Sequence, residues 1–275
     1  MRRLFVLTVL ALTLAACAEN PEEVRASPTP TDTGERAREV ATAWNGSQAA
    51  ASWQSGYHPT GDWVRYPKGA ENATLTLRTA LPSPPSGPAR VKWPDGRTLT
   101  RPLQPAATAY DILNRHAGYG PQLTVTSVKL GETTLPTSRG PATVPAWLFT
   151  VDGYNTPVSR AAVLPSKLPE RPLPGRAAPW TVSRLLSVRG STVTVVVPHG
   201  SCDAGASVDA LETPGSVVLT ASVGDPEPGA CIASLEMEPV TVRLAAPLGN
   251  RVLLDASTAT PLPYDLPNSL SPSWS

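Results

Sequence analysis

The stretch TVSRLLSVRGSTVTVVV, residues 181–197, decides the fold class. It reads as two strands meeting at Arg189-Gly190. In the second strand Val193, Val195 and Val197 fall on one face, the period-two pattern of a strand with a buried side. Downstream the same texture continues. Ser216–Val223 and Ala230–Met237 are expected as strands joined by Gly224–Gly229. Pro239–Ala245 turns Val240, Val242 and Leu244 inward, and Val252–Leu254 is a short last strand. Six short strands with turn signals every 8–15 residues predict a sandwich or partly closed barrel over 180–264.

Upstream, residues 165–179 (PSKLPERPLPGRAAP) carry five prolines. Proline cannot donate to a ladder, so this segment is expected as an extended linker between two domains. The first domain spans 34–164 and also reads as mostly strand. Ala73–Leu81, Leu123–Leu130, Val144–Asp152 and Pro157–Leu164 have strand character, and Pro94-Asp95-Gly96 turns a hairpin between Val91–Trp93 and Arg97–Leu103. Two helices interrupt it. Glu35–Trp44 places Ala37, Val40, Ala41 and Trp44 on one face behind a Thr33 cap, and Ala106–Ala117 places Tyr110, Leu113 and Ala117 together. Period two is expected from about Trp53. The fold class is therefore mainly β: two β-sandwich or barrel-like domains, with one or two short helices in the first.

The N-terminus points to location. Arg2 and Arg3 precede an apolar run, Leu4–Leu14, too short to span a bilayer, and the run closes on Leu14-Ala15-Ala16-Cys17. That quartet matches a bacterial lipobox. The expectation is a signal peptide over 1–16, a diacylglyceryl group on Cys17 and a disordered tether over 17–33, with a disordered tail over 265–275. Removing residues 1–16 takes away two arginines and no acid, turning the formal charge of +1 into −1. So balanced a chain lacks the concentrated basic face that nucleic acid requires.

With Cys17 committed to lipid, Cys202 and Cys231 are an even pair in an exported protein, most simply a disulfide. The histidines are His58, His116 and His199, none with another nearby in sequence, and no metal or cofactor site is expected. Pro198–Asp203 packs His199, Ser201 and Asp203 together, but a serine nucleophile needs its base beside it in space and an elbow before a helix. A polar turn held by the disulfide is the favoured reading, with no catalytic residue. Gly56–Pro67 is dense in aromatics. Trp53, Tyr57, Trp63 and Tyr66 could form a weak surface stacking patch, against the favoured alternative that large aromatics plug the end of a sheet.

At Trp93-Pro94-Asp95-Gly96, at Thr137–Phe149 (TSRGPATVPAWLF) and at Leu248–Asp255 (LGNRVLLD), the chain resembles a group of actinobacterial envelope lipoproteins over about Trp53–Tyr264. The resemblance implies an envelope location and a β-rich fold, and carries over no catalytic residue. The functional expectation is a lipid-anchored, non-enzymatic binding or scaffolding module on the extracytoplasmic face of the cell membrane. Its partners would be the membrane through its anchor, and a cell-wall polymer or another exported protein. The alternatives are a small-ligand carrier with an interdomain pocket and an exported hydrolase.

Overall fold

The computed structural model describes residues 30–83, 87, 89–115, 117–226 and 228–264. The signal peptide, Cys17, most of the expected tether, His116 and the expected tail lie outside these residues. The described chain is mainly β, with 43% strand and 13% helix.

The first half opens on two helices, α1 (Pro30–Trp44) and α2 (Gln48–Ser55). The first begins five residues earlier than expected, so Thr33 lies inside it rather than capping it, and the last four positions of the tether are helical. The expected face is the buried one: Ala37, Val40, Ala41 and Trp44 are all interior. The second helix replaces the strand texture expected from Trp53. Ser47 caps it, accepting from the Ala50 N–H at 3.1 Å, and the run Gln48-Ala49-Ala50-Ala51 is strong helix former.

Seven strands follow: β1 (Val64–Arg65), β2 (Thr74–Leu77), β3 (Ala89–Lys92), β4 (Thr98–Arg101), β5 (Gln122–Thr137), β6 (Gly140–Val151) and β7 (Val158–Ala161). A third helix, α3 (Ala106–Arg115), lies between β4 and β5 and buries Ala106, Ala109 and Leu113. The long hairpin β5–β6 is the spine, turning at Ser138-Arg139. Along its other edge β6 is shared, pairing with β3 at Thr143 and with β7 over Ala146–Phe149. Its buried positions change parity between Ala146 and Trp147, so it is apolar on both faces. Trp147 donates to the Gln104 carbonyl at 2.8 Å and Phe149 meets Tyr110 of α3, which places that helix over the later face.

The second half has two three-stranded sheets. β8 (Arg184–Arg189), β9 (Thr192–Gly200) and β12 (Leu235–Arg243) form one, in the order β12-β9-β8. β10 (Ala206–Glu212), β11 (Ser216–Val223) and β13 (Val252–Asp255) form the other. Residues 181–197 are the hairpin expected of them, from Arg184 onward. Two expectations are corrected. Ser216–Val223 does not pair with Ala230–Met237; β11 lies between β10 and a parallel β13. Ala230–Met237 and Pro239–Ala245 are not two strands either, because β12 runs straight through Pro239 beside β9. An edge strand tolerates that proline, since every second N–H of such a strand points away from its only ladder partner. β10 escaped notice because its residues are at most half-buried and weakly patterned: Ala206 and Val208 pack on the main core and Leu211 on the other face, while Ser207, Asp209 and Ala210 are exposed.

Among the described residues, strands pair only within their own half. The apolar interior, however, is shared across residues 165–179. One cluster joins Tyr57, Trp63, Val91 and Phe149 to Val193, Val195, Val217, Leu219 and Leu253. A second puts α1 and α2 on the outer face of the β10-β11-β13 sheet, against Val218, Val252 and Leu254. That double burial explains why Val217–Leu219 of β11 and Val252–Leu254 of β13 are unbroken apolar runs. The proline-rich segment lies over the same side. Leu168 and Leu173 pack on the second cluster, and Arg36 of α1 donates to the Pro174 and Ala256 carbonyls at 2.6 and 3.0 Å.

Candidate functional site

The end of α2, the β5–β6 turn and the first edge of the second half converge on one cleft. Trp53 leaves α2 buried and stacks on His58, ring centroids 3.9 Å apart and planes 7° from parallel. Gly56 makes the stack possible, because a Cβ there would come within 2.2 Å of His58 Nε2. The chain then lies along the turn: the His58 carbonyl accepts from the Ser138 N–H at 2.9 Å, and the Thr60 N–H donates to the Pro136 carbonyl at 3.0 Å. Burial, with Arg101 and Arg139 nearby, pushes His58 down to about 3. His58 is therefore neutral at any ordinary pH, and its role here is to hold Trp53 and Ser138 at the same end of the cleft.

Two of the three motifs meet at this turn. Trp93 Nε1 donates to Thr137 Oγ1 at 3.2 Å, and the Arg139 guanidinium sits over the Trp93 ring, 4.0 Å from its centroid. Arg139 also donates to the Ser55 carbonyl at 2.9 Å, tying the turn to the end of α2. The third motif is structural as well. Asp255 is buried and accepts from the Val182 and Thr258 N–H groups at 2.9 and 2.6 Å, and desolvation raises its pKa.

The cleft itself holds about 370 Å³ and is shared by the two halves, at the small end of the range for organic ligands, roughly 300–1,000 Å³. Leu135 and Pro136 come from the first half, and Leu185, Val188, Leu253 and Leu262 from the second. Two of the residues lining it carry buried donors without a partner: Trp53 Nε1–H and Ser138 Oγ–H. Such a group costs about 1–3 kcal/mol when left unsatisfied, so a pair of them at one cavity asks for an acceptor. Two guanidiniums also line it. Arg251 is paired with Glu212 at 2.7 Å, whereas Arg65 donates to the Thr134 carbonyl and, among the described residues, has no carboxylate in ion-pair range.

The weaker of the two aromatic readings, a surface stacking patch, is corrected by burial. Trp53, Tyr57 and Trp63 are 6%, 0% and 2% exposed and Tyr66 is half-buried, with Tyr57 and Trp63 edge to face at 6.0 Å. Tyr57, Trp63 and Tyr66 pack in the main core and Trp53 in the second cluster, and Trp53 alone of the four reaches the cleft. Cys202 and Cys231 are disulfide-bonded. Nearby, His199 faces Glu238 at 3.0 Å, Ser201 donates to the Ile232 carbonyl and Asp203 accepts from the Gly200 N–H, so the three do not assemble. Three apolar side chains beside this bridge are exposed: Ile232, Leu235 and Met237. Among the described residues no group of histidine, cysteine and carboxylate side chains is placed to hold a metal. The sequence reading missed Arg160, fully buried on β7, where Gln104 Oε1 and the Ala161 carbonyl receive it at 3.1 Å and burial lowers it to about 10.

No protein-family model, curated protein or solved structure matches this chain.

Proposed function

We propose that this chain is a non-enzymatic binding protein, held at the outer face of the cell membrane by lipid on Cys17, that takes a small ligand in the cleft between its halves. The observation that carries the ligand site is the pair of buried, unpartnered donors on Trp53 and Ser138 among the residues of a mainly apolar cavity that Arg65 and Arg251 also line. The anchor rests on Leu14-Ala15-Ala16-Cys17 and on the resemblance to actinobacterial lipoproteins. The separate hydrogen bonds of His199, Ser201 and Asp203 favour a binder over a hydrolase. Native mass spectrometry of protein taken from its own membrane tests this. A small molecule should leave on unfolding and be missing from Val188→Trp, which fills the cleft. Wild type that carries none would contradict the reading. The intact mass should also carry a diacylglyceryl group on Cys17.

A second reading is favoured by Ile232, Leu235 and Met237, which present apolar surface beside the disulfide. There the protein would dock on a wall polymer or another exported protein. Co-sedimentation with purified cell wall, reduced by Ile232→Ser with Leu235→Ser, is its expected signature.

A further inference from the structure

We propose that the cleft ligand is two-headed: an alkyl chain with a carboxylate at one end and an uncharged acceptor at the other. This deepens the reading of the cleft as a ligand site and rests on it.

The two polar ends of the cavity are chemically different. At one end Trp53 Nε1–H and Ser138 Oγ–H are neutral donors, buried and without partners. Both are held by His58, through its ring and its carbonyl, so they share a location. An ester, amide or hydroxyl oxygen can accept from both, having two lone pairs. Toward Thr134, whose carbonyl it binds, stands Arg65, a solvent-exposed side chain on the cavity lining. Among the described residues it has no carboxylate partner, while Arg251 is already neutralised by Glu212. No aspartate or glutamate lines the cavity, which disfavours a cationic head. A guanidinium with donors to spare suits a carboxylate, which can accept two of them.

The strand supplies the ruler. Thr134 and Thr137 are three residues apart on β5, about 10 Å of extended chain, and Ser138 follows in the turn. One small head cannot reach both ends. Between them the wall is Leu135, Leu185, Val188, Leu253 and Leu262, which an alkyl chain would cover.

The test is isothermal titration of 10-hydroxydecanoate, decanoate, 1-decanol and decylamine into the full chain in zwitterionic nanodiscs, with empty nanodiscs as reference. The hydroxy acid should bind about tenfold more tightly than decanoate, and decylamine should be weakest. Arg65→Gln should weaken both acids about tenfold and leave 1-decanol within a factor of two. Ser138→Ala should bring the hydroxy acid toward decanoate without changing decanoate itself. Val188→Trp should abolish binding, and Thr60→Trp, at a half-buried cleft position, should do the same if the first variant misfolds. If all four probes bind alike and both tryptophan variants block them, the cleft is a ligand site and the two-headed assignment is overturned. If none binds, or binding ignores a folded tryptophan variant, both readings fall.

Discussion

The Tyr264 hydroxyl donates to the Asp62 carboxylate, joining the last described residue to the turn before β1 across 202 positions of sequence. Tyr264 is buried, and its neighbour Leu262 lines the cleft, so this bond fixes how the halves meet around the cavity. Tyr264→Phe keeps the ring and removes the donor. It should cost about 1–2 kcal/mol in denaturant unfolding, because the acceptor is charged but exposed. An unchanged midpoint would show that the hydroxyl contributes nothing to joining the halves.

The shared interior predicts the behaviour of the second half alone. Residues 178–265 contain all strands of both smaller sheets, but α1 and α2 cover Val218, Val252 and Leu254. Expressed separately, that fragment should bind a hydrophobic dye and melt broadly, while a chain covering 30–264 melts sharply. A sharp melt of the short fragment would mean that the helices are dispensable to it.

His58 predicts a pH dependence with a definite sign. Its folded value of about 3 lies below the ordinary 6.5. Between those values the denatured chain takes up a proton that the native chain refuses, so stability is full above about pH 6.5 and falls as pH drops toward 3. His58→Phe keeps an aromatic ring against Trp53 and removes the titration. The difference in unfolding free energy between the two proteins should therefore change with pH by up to about 1.4 kcal/mol per unit in that window and stay flat above it. Parallel curves throughout would assign the acid sensitivity to other groups.

The disulfide closes a loop between positions 29 apart. Loop-closure entropy puts its contribution at about 3.5 kcal/mol, less any native strain. Alkylation without reductant should label neither Cys202 nor Cys231. The double serine variant should unfold at lower denaturant while keeping its sheets. Labelling of both in native protein would contradict the bond.

What was legible in the sequence was periodicity. The valines of β9, the apolar face of α1 and the Gly96 turn, with φ +84°, all lie where local pattern places them. Partner choice was not legible: β11 met β10 and β13 rather than the strand after it, because a pattern of alternation carries no address. α2 went unread, residues 47–52 being unassigned and period two expected from about Trp53, although Ser47 and the three alanines were the available signal. The cleft was foreseen only as an alternative, a pocket between domains. Its members lie far apart in sequence, from Trp53 to Leu262, and a donor without a partner is a property of packing. Burial of the aromatic segment was the favoured reading, but what buries it was not legible, since Tyr57 and Trp63 share their cluster with residues over a hundred positions away.

The most direct measurement is the indole proton of Trp53, one of seven tryptophans, assigned by Trp53→Phe in nitrogen–proton correlation spectra. Titration with 10-hydroxydecanoate should move that resonance downfield and slow its exchange with water as the indole gains an acceptor, leaving the other indoles nearly still. A Trp53 indole unmoved at saturating probe would contradict the cleft as the binding site.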